Sequence, residues 1–217
     1  MKTLRAILVI AALTYASTDA YAQACFGTPM TSRNYAGFYQ RHSWTGYDRQ
    51  TPVYGGQYAH AFGASKRVIA SFSGAVGGMK ADTSAFHLAG MLSTSGHLSD
   101  NLSVCAGTGF DAQATDFPGE SKHSSDGFGS IPMSVGFGYD MHMGAVTLTP
   151  FAAPTLAYYI FEAEGYKNGA RQRGFDGYVT MGATAAFSRF SVGANWRKGD
   201  RSTGESGRMS LSTGIAF

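Results

Sequence analysis

The sequence predicts an all-β fold: a single antiparallel transmembrane β-barrel of about ten strands, preceded by a cleaved signal peptide. Three observations predict it: strands in which apolar residues alternate with small or polar ones, connections that are alternately short and long along the chain, and a last strand with one apolar and one small, polar face. Successive side chains of a strand point to opposite faces of a sheet, so this alternation gives each strand one apolar and one polar face. A count of eight strands is the alternative.

The N-terminal segment has the three regions of a secretory signal peptide. Lys2 and Arg5 precede an apolar run, and an Ala-Tyr-Ala site ends at Ala22, directly before Gln23. The apolar run is too short to cross a bilayer as a retained helix. We therefore expect cleavage between Ala22 and Gln23.

The composition of the chain restricts its partners and its architecture. Lys and Arg number 17 against 14 Asp and Glu, and the two signs are nearly balanced once residues 1–22 are removed, which argues against nucleic acid as a partner. Gly is abundant and suits helices badly, because each helical Gly costs about 1 kcal/mol. No break in composition divides the chain. We expect a signal peptide at 1–22, a periplasmic cap segment at 23–32 and the barrel at 33–217.

Two cysteines, Cys25 and Cys105, follow the cleavage site. An isolated pair in an oxidising compartment favours a disulfide, and the lack of neighbouring His or acidic ligands makes a poor zinc site. We predict that a Cys25–Cys105 bond pins residues 23–32 beneath or just inside the barrel, as a cap or partial plug. Lipidation of Cys25 is the alternative, which Ala22 disfavours, since lipoprotein processing usually requires Leu at that position.

Alternation with a period of two, bounded by Gly, Asp, Ser and Asn, delimits the strands. In chain order they span 33–42, 53–63, 67–78, 84–93, 102–111, 128–139, 146–162, 175–187, 190–197 and 207–217. The first has mixed faces, and the seventh is apolar on both. The other strands have a clear apolar face. Its residues are Tyr54, Tyr58 and Phe62 in 53–63; Val68, Phe72 and Val76 in 67–78; Phe86, Leu88 and Leu92 in 84–93; and Leu102, Val104 and Phe110 in 102–111. They are Ile131, Met133, Val135, Phe137 and Tyr139 in 128–139; Val179, Met181, Ala183 and Phe187 in 175–187; and Phe190, Val192, Ala194 and Trp196 in 190–197.

The connections between these strands fall into two alternating sets. With the N-terminus in the periplasm, the periplasmic turns would be 64–66, 95–101, 140–145 and 188–189, and the outer loops 43–52, 78–83, 112–126, 163–174 and 198–206. Most of the second set are longer and carry most of the charge. Short periplasmic turns and long outer loops are typical of outer-membrane barrels.

The last strand carries a further signal. Its apolar parity consists of Met209, Leu211, Thr213, Ile215 and Phe217. Apolar alternation that ends in an aromatic residue resembles the C-terminal signal that the barrel-assembly machinery reads. The segments SVGFGYD, VTLTPFAAPTLAYY and FSVGANW are similar to strands of the outer-membrane β-barrel family, the small OmpA/OmpX-like barrels. This resemblance implies a monomer in the outer membrane of a Gram-negative cell envelope, in contact with outer-membrane lipids and the assembly machinery.

The two faces of the strands predict where particular side chains lie. The lumen would receive the polar exceptions on the small-residue parity: Gln57, His87, Asp140, Asn195, Arg197 and Arg208. Interfacial girdles would be formed by aromatic residues near strand ends: Tyr54, Phe62, Phe110, Phe128, Tyr139, Tyr178, Phe187 and Trp196. Side chains fill barrels of about eight strands, so a barrel of about ten would have a narrow or closed lumen rather than the open pore of a general porin.

We expect a structural, surface-interaction or narrow-channel role without catalysis, cofactor or metal, and the sequence does not identify a ligand. A barrel-wall protease or lipid-modifying enzyme is one alternative, for which residues 123–126, His87, His97 and His142 are the available material. Neighbours within one loop cannot hold the fixed geometry of a nucleophile, a base and its orienting group. A soluble periplasmic barrel for a lipophilic ligand is the other, and it would need an apolar interior.

Overall fold

The computed structural model describes residues 26–28, 32–45, 50–63, 67–77, 84–117, 124–162, 174–198 and 205–217. The predicted signal peptide, its cleavage site between Ala22 and Gln23, and Cys25 lie outside these ranges. So does all or part of each predicted outer loop. No helix in the described ranges is long and apolar enough to cross a membrane.

Ten long strands and one short strand make up the described fold. They are β1 (Asn34–Thr45), β2 (Gln50–Phe62), β3 (Val68–Gly77), β4 (Ser84–His97), β5 (Leu102–Phe117), β6 (Ser124–Tyr139), β7 (Met141–Met143), β8 (Val146–Glu162), β9 (Gly174–Phe187), β10 (Phe190–Lys198) and β11 (Glu205–Ala216). Each long strand pairs antiparallel with its neighbours in the chain, β6 pairs with β8, and β1 pairs with β11. The predicted all-β antiparallel barrel is confirmed, and its closed sheet has ten strands rather than eight.

Pairing of the first strand with the last closes the barrel. The register runs from Tyr35↔Ala216 to Thr45↔Glu205. Asn34 and Phe217 extend it, each donating its backbone N–H to the other's carbonyl oxygen, at 3.0 and 2.9 Å. Closure satisfies the backbone groups that would otherwise form two open edges. The end of the barrel that holds Asn34, Gly63, Phe217 and the turns after β4, β6 and β9 is called the short-turn end below.

Several strands are longer than the hydrophobic pattern predicts. The predicted loop 112–126 is wrong over most of its length, because β5 continues to Phe117 and β6 begins at Ser124. The predicted turn 140–145 contains the short strand β7, which pairs with the start of β8 and turns back through Gly144, at φ 62°. Backbone pairing continues wherever a neighbouring strand supplies partners, whereas side-chain alternation reports only the apolar band.

β8 has the predicted bounds in spite of its two prolines. A proline nitrogen cannot donate to a ladder. The register of β8 with β9 is continuous through Pro150 and Pro154. Its register with β6 is interrupted opposite Pro154, between Ser134↔Thr155 and Phe137↔Ala152. The missing donor therefore falls on the β6 side, and one intact ladder keeps β8 in the sheet.

The barrel has an apolar exterior and a polar interior. Every long strand presents large apolar side chains outward, among them Phe38, Tyr58, Phe72, Leu88, Phe110, Val135, Leu156, Met181, Val192 and Leu211. Buried polar side chains include Arg41, His87, Ser103, Ser134, Asp140, Thr149, Thr184, Arg197 and Arg208. The predicted outward direction of the apolar parity is confirmed, and this distribution is the reverse of that in a water-soluble domain.

Most of the aromatic side chains predicted to form girdles face outward, while their position at a membrane interface stays a prediction. The outward, exposed members are Tyr54, Phe62, Phe110, Tyr139, Phe187 and Trp196. The assignment of Tyr178 is wrong: its ring faces the interior, where the guanidinium of Arg197 lies 3.3 Å from its centroid. Tyr178 shares the inward parity of Thr180 on β9, so its position follows from the alternation itself. The side chain of Phe128 lies outside the described part of the structure.

Candidate functional site in the barrel interior

A cluster of polar side chains crosses the interior, and we call it the Asp111 cluster. Its members are Tyr39, Arg41, His87, Asp111, Gln113, Tyr178, Arg197 and Arg208. They come from six strands, β1, β4, β5, β9, β10 and β11. All of them lie on the inward parity, and the cluster is therefore an assembly that only barrel closure can form.

A chain of three groups runs from β1 to β5. The Nε2 atom of His87 lies 2.9 Å from Oδ1 of Asp111, and its Nδ1 atom lies 3.0 Å from the hydroxyl oxygen of Tyr39. An ionised carboxylate only accepts hydrogen bonds, so Nε2 carries the proton in the neutral ring, and Nδ1 then accepts from the Tyr39 hydroxyl. The imidazole is thereby held in one orientation by partners on both sides.

The second oxygen of Asp111 faces two arginines. Oδ2 lies 3.7 Å from Nη1 of Arg197 and 3.7 Å from Nη1 of Arg208. These two arginines are directly opposed on β10 and β11, where like charges repel. β5 and β11 are five strands apart in either direction around the sheet, so the contact joins diametrically opposite walls. One carboxylate thus offsets the repulsion and bridges the lumen.

Two further contacts complete the cluster. Nη2 of Arg41 donates to Oε1 of Gln113 at 2.9 Å, which joins β1 to β5. The guanidinium of Arg197 lies over the Tyr178 ring, a cation–π contact that gains strength away from water. The lumen at this level is filled by side chains from opposite walls.

Further hydrogen bonds join pairs of interior side chains between the Asp111 cluster and the short-turn end. Ser134 and Thr155 share a bond of 2.8 Å across β6 and β8, and the Thr149 hydroxyl donates to Oδ1 of Asp140 at 2.6 Å. Buried hydroxyls and carboxylates of this kind are stable only when they are paired. These polar pairs lie alongside clusters of buried apolar side chains, one of which is formed by Tyr35, Ala59, Ala61, Ile69 and Ala216.

The short N-terminal stretch at residues 26–28 lies inside the barrel. A Cβ atom added to Gly27 would lie 3.2 Å from Cζ of Phe151 and 3.8 Å from Nδ2 of Asn195, both on the inner wall. A cavity of about 220 Å³ adjoins the stretch. Its lining includes Phe26, Thr28, Tyr35, Gln57, Asp111 and Tyr178. The cavity therefore borders both the N-terminal stretch and the Asp111 cluster.

The side chains predicted to face the lumen do so. His87, Arg197 and Arg208 belong to the Asp111 cluster, whereas Gln57 donates to the Tyr35 hydroxyl at 3.3 Å and Asn195 lies beside Gly27. Sequence reasoning missed Asp111, the centre of the cluster, because the predicted strand ended there. Asp111 was the last residue of the predicted strand 102–111, and the alternation of Cys105, Gly107 and Gly109 already placed it on the inner face.

Sequence reasoning also missed Tyr39 and Arg41. Both belong to β1, whose faces read as mixed. The structure makes them inward neighbours, two positions apart and buried. Aromatic and polar residues occur on both parities of β1, so only the register with β2 and β11 separates Tyr39 and Arg41 from the outward Phe38.

Cys105 faces inward on β5 and is 4% exposed. Its proposed partner, Cys25, lies outside the described residues, so the disulfide stays a prediction. We expect proteolysis of the unreduced protein, followed by mass spectrometry, to yield one peptide pair that joins Cys25 to Cys105 and separates after reduction. Two free thiols would contradict the bond, and a lipid adduct on Cys25 would support the alternative.

The histidines do not form a second cluster with His87. His97 lies on the same strand ten residues away, roughly 33 Å along β4 at about 3.3 Å per residue. His142 lies in β7, where its Nδ1 contacts the Thr147 hydroxyl at 3.1 Å. His123 lies outside the described residues. Across the described ranges, no three His, Cys, Asp or Glu side chains are arranged to hold a metal ion.

Comparisons with known proteins give likenesses to solved structures but none to a family model or a curated sequence. No protein-family model matches the chain, and no curated protein matches its sequence. Among solved structures, the chain is similar to the crystal structure of the β domain of the Bordetella autotransporter BrkA, at 12% identity, over 85% of this chain and 98% of that one, with a TM-score of 0.46. The resemblance to small OmpA/OmpX-like barrels stays a prediction. The chain is a closed, ten-stranded antiparallel β-barrel with an apolar exterior and a polar, bridged interior.

Proposed function

We propose that the chain is an integral outer-membrane β-barrel whose lumen is closed at rest. The observation that carries the proposal is the apolar exterior. On β6, alternate residues from Ile131 to Tyr139 are large, apolar and outward. They cover roughly 27 Å along the strand at about 3.4 Å per residue, or about 21 Å of height at a tilt of about 40°. That height is close to the apolar band of outer-membrane barrels, about 25 Å.

The predicted signal peptide supports the same destination. A secreted barrel with an apolar exterior needs a lipid environment, because exposed apolar surface of this extent aggregates in water. The short-turn end would face the periplasm and the longer connections the outside. Outer-membrane lipids and the barrel-assembly machinery, acting through the strand that ends in Ile215 and Phe217, are the proposed partners of a monomeric protein.

Within the membrane we propose a structural or surface-interaction role, with ion conduction only when the Asp111 bridge opens. One observation favours the alternative of a barrel-wall enzyme: Tyr39, His87 and Asp111 stand in the order hydroxyl, imidazole and carboxylate at 3.0 and 2.9 Å. However, Tyr39 is 7% and His87 5% exposed, which leaves a substrate little access. The buried arginines disfavour a carrier for lipophilic ligands.

A test of the proposal is electrophoresis in SDS of the mature chain, purified in detergent, with and without boiling. A closed barrel resists SDS until it is heated, so we expect the unboiled protein to migrate differently from the boiled protein. Reductant should leave this shift in place, since it depends on the strand ladder. Identical mobility together with solubility in the absence of detergent would overturn the membrane assignment.

A further inference from the structure

We propose that residues 26–28 form a plug that docks inside the barrel and closes it from the short-turn end, in series with the Asp111 bridge. The docking itself depends only on contacts within the chain. The consequence for conduction rests on the proposed function. The site is a seat on the inner wall made by Phe151, Gly182 and Asn195, and its occupant is the chain's own segment around Gly27.

The seat places an aromatic ring between two glycines. A Cβ atom on Gly182 would lie 2.8 Å from Cζ of Phe151, and one on Gly27 would lie 3.2 Å from the same atom. Side-chain atoms seldom approach this closely, so the ring has room only because both neighbours lack a Cβ. Gly27 also has φ 80°, in the left-handed region that favours glycine. Both its conformation and its contact therefore require glycine.

The depth of the seat explains why an occupant would block the lumen. Asn195 lies five residues after Phe190, where β10 begins at the short-turn end, which is roughly 16 Å along the strand at about 3.3 Å per residue. Arg197 of the Asp111 cluster is the next inward residue on the same strand. The plug thus reaches almost to the Asp111 cluster, and the cavity of about 220 Å³ borders both Phe26 and Thr28 of the plug and Asp111 of the cluster.

The tether limits where the plug can go. Thr28 is six positions before Asn34, where β1 begins at the short-turn end. A fully extended chain of that length spans roughly 20 Å. The segment can therefore reach the seat, and once the predicted Cys25–Cys105 bond is reduced it can also leave through the short-turn end. Its release would open the cavity toward that end and leave the bridge as the remaining closure.

The first experiment locates the plug by photo-crosslinking in the full mature chain in detergent, with reductant present so that the predicted Cys25–Cys105 bond does not hold the segment in place. Phe26 is replaced by p-benzoyl-phenylalanine, and crosslinked peptides are identified by mass spectrometry. We expect crosslinks to inner-wall peptides that line the cavity, such as those containing Gln57 or Tyr178. The variant Gly27→Val should reduce their yield several-fold, because valine fits neither the backbone conformation nor the seat.

Gly63→Val is the matched control. Gly63 has φ 77°, and an added Cβ there meets no atom within 4 Å. Valine at this position therefore strains the backbone as it does at Gly27, but it disturbs no packing contact. It should leave the crosslinks unchanged. Absence of inner-wall crosslinks in a chain that still shows the heat-dependent shift in SDS would overturn the plug while leaving the membrane barrel intact.

The second experiment tests closure by single-channel recording in planar bilayers. With the bridge weakened by Asp111→Asn, deletion of residues 26–28 should raise the mean conductance several-fold over Asp111→Asn alone. Equal conductance would overturn the plug as a closure, even if the crosslinks are found. A chain that neither inserts into bilayers nor shifts in SDS would refute the proposed function instead, and crosslinking would still decide whether the segment docks.

Discussion

Replacement of Asp111 by Ala is expected to lower the free energy of unfolding by about 3–5 kcal/mol, the usual cost of removing one partner from a buried ionic network. The carboxylate offsets the repulsion between Arg197 and Arg208 and accepts the hydrogen bond of His87. Without it, two adjacent guanidinium groups stay buried with a strongly reduced counter-charge. The bridge between opposite walls is also lost, so conductance should rise in the same variant.

The measurement is reversible unfolding in denaturant, with the barrel in detergent micelles or lipid vesicles. Asp100→Ala is the control, because Asp100 is exposed in the turn between β4 and β5. A surface substitution of this kind should change the free energy of unfolding by no more than about 0.5 kcal/mol. Equal effects of the two variants would contradict the central role of Asp111.

The second large effect is expected on the exterior. Val135→Arg should lower the free energy of unfolding in lipid by about 2–4 kcal/mol, the cost of arginine near the bilayer midplane on a barrel surface. Val135 is 40% exposed and lies midway along the outward row from Ile131 to Tyr139. In lipid that exposed fraction contacts hydrocarbon, where a guanidinium is poorly solvated.

The control for Val135→Arg is Leu98→Arg. Leu98 is also apolar and exposed, but it lies in the turn between β4 and β5. Near the interface an arginine costs about 0–1 kcal/mol. Folding into vesicles of short-chain phosphatidylcholine, followed by denaturant titration, would measure both variants. A cost for Val135→Arg no greater than that for Leu98→Arg would argue that the exterior does not face lipid.

The strand content follows from local patterns, because each strand repeats the same binary alternation. The bounds predicted for β8, 146–162, agree with the structure in spite of Pro150 and Pro154. The ends of β5 and β6 differ from prediction because the apolar pattern stops at the edge of the band while the backbone ladder continues. Apolar and polar residues alternate only where one face of the strand meets an apolar environment and the other a polar one, so the alternation does not show how far backbone pairing continues outside that region.

Tyr178 and Asp111 show two different limits of such reasoning. Tyr178 was assigned by its type and its place near a strand end, although its parity already pointed inward. Asp111 was taken as a strand terminus, since a carboxylate usually marks a turn. In a barrel the inner face accepts a carboxylate if the opposite wall supplies cations, and the sequence does not reveal which strand will be opposite.

The sequence by itself determined the alternation, and with it the direction of almost every side chain, because the period of a strand leaves only two faces. It also determined the inward set Gln57, His87, Asn195, Arg197 and Arg208. Only the tertiary structure decided that Asp111 on β5 meets Arg208 on β11 and that Gly27 lies against Phe151. Those contacts depend on the number of strands and on the closure of β1 against β11, which set the walls that face each other across the lumen.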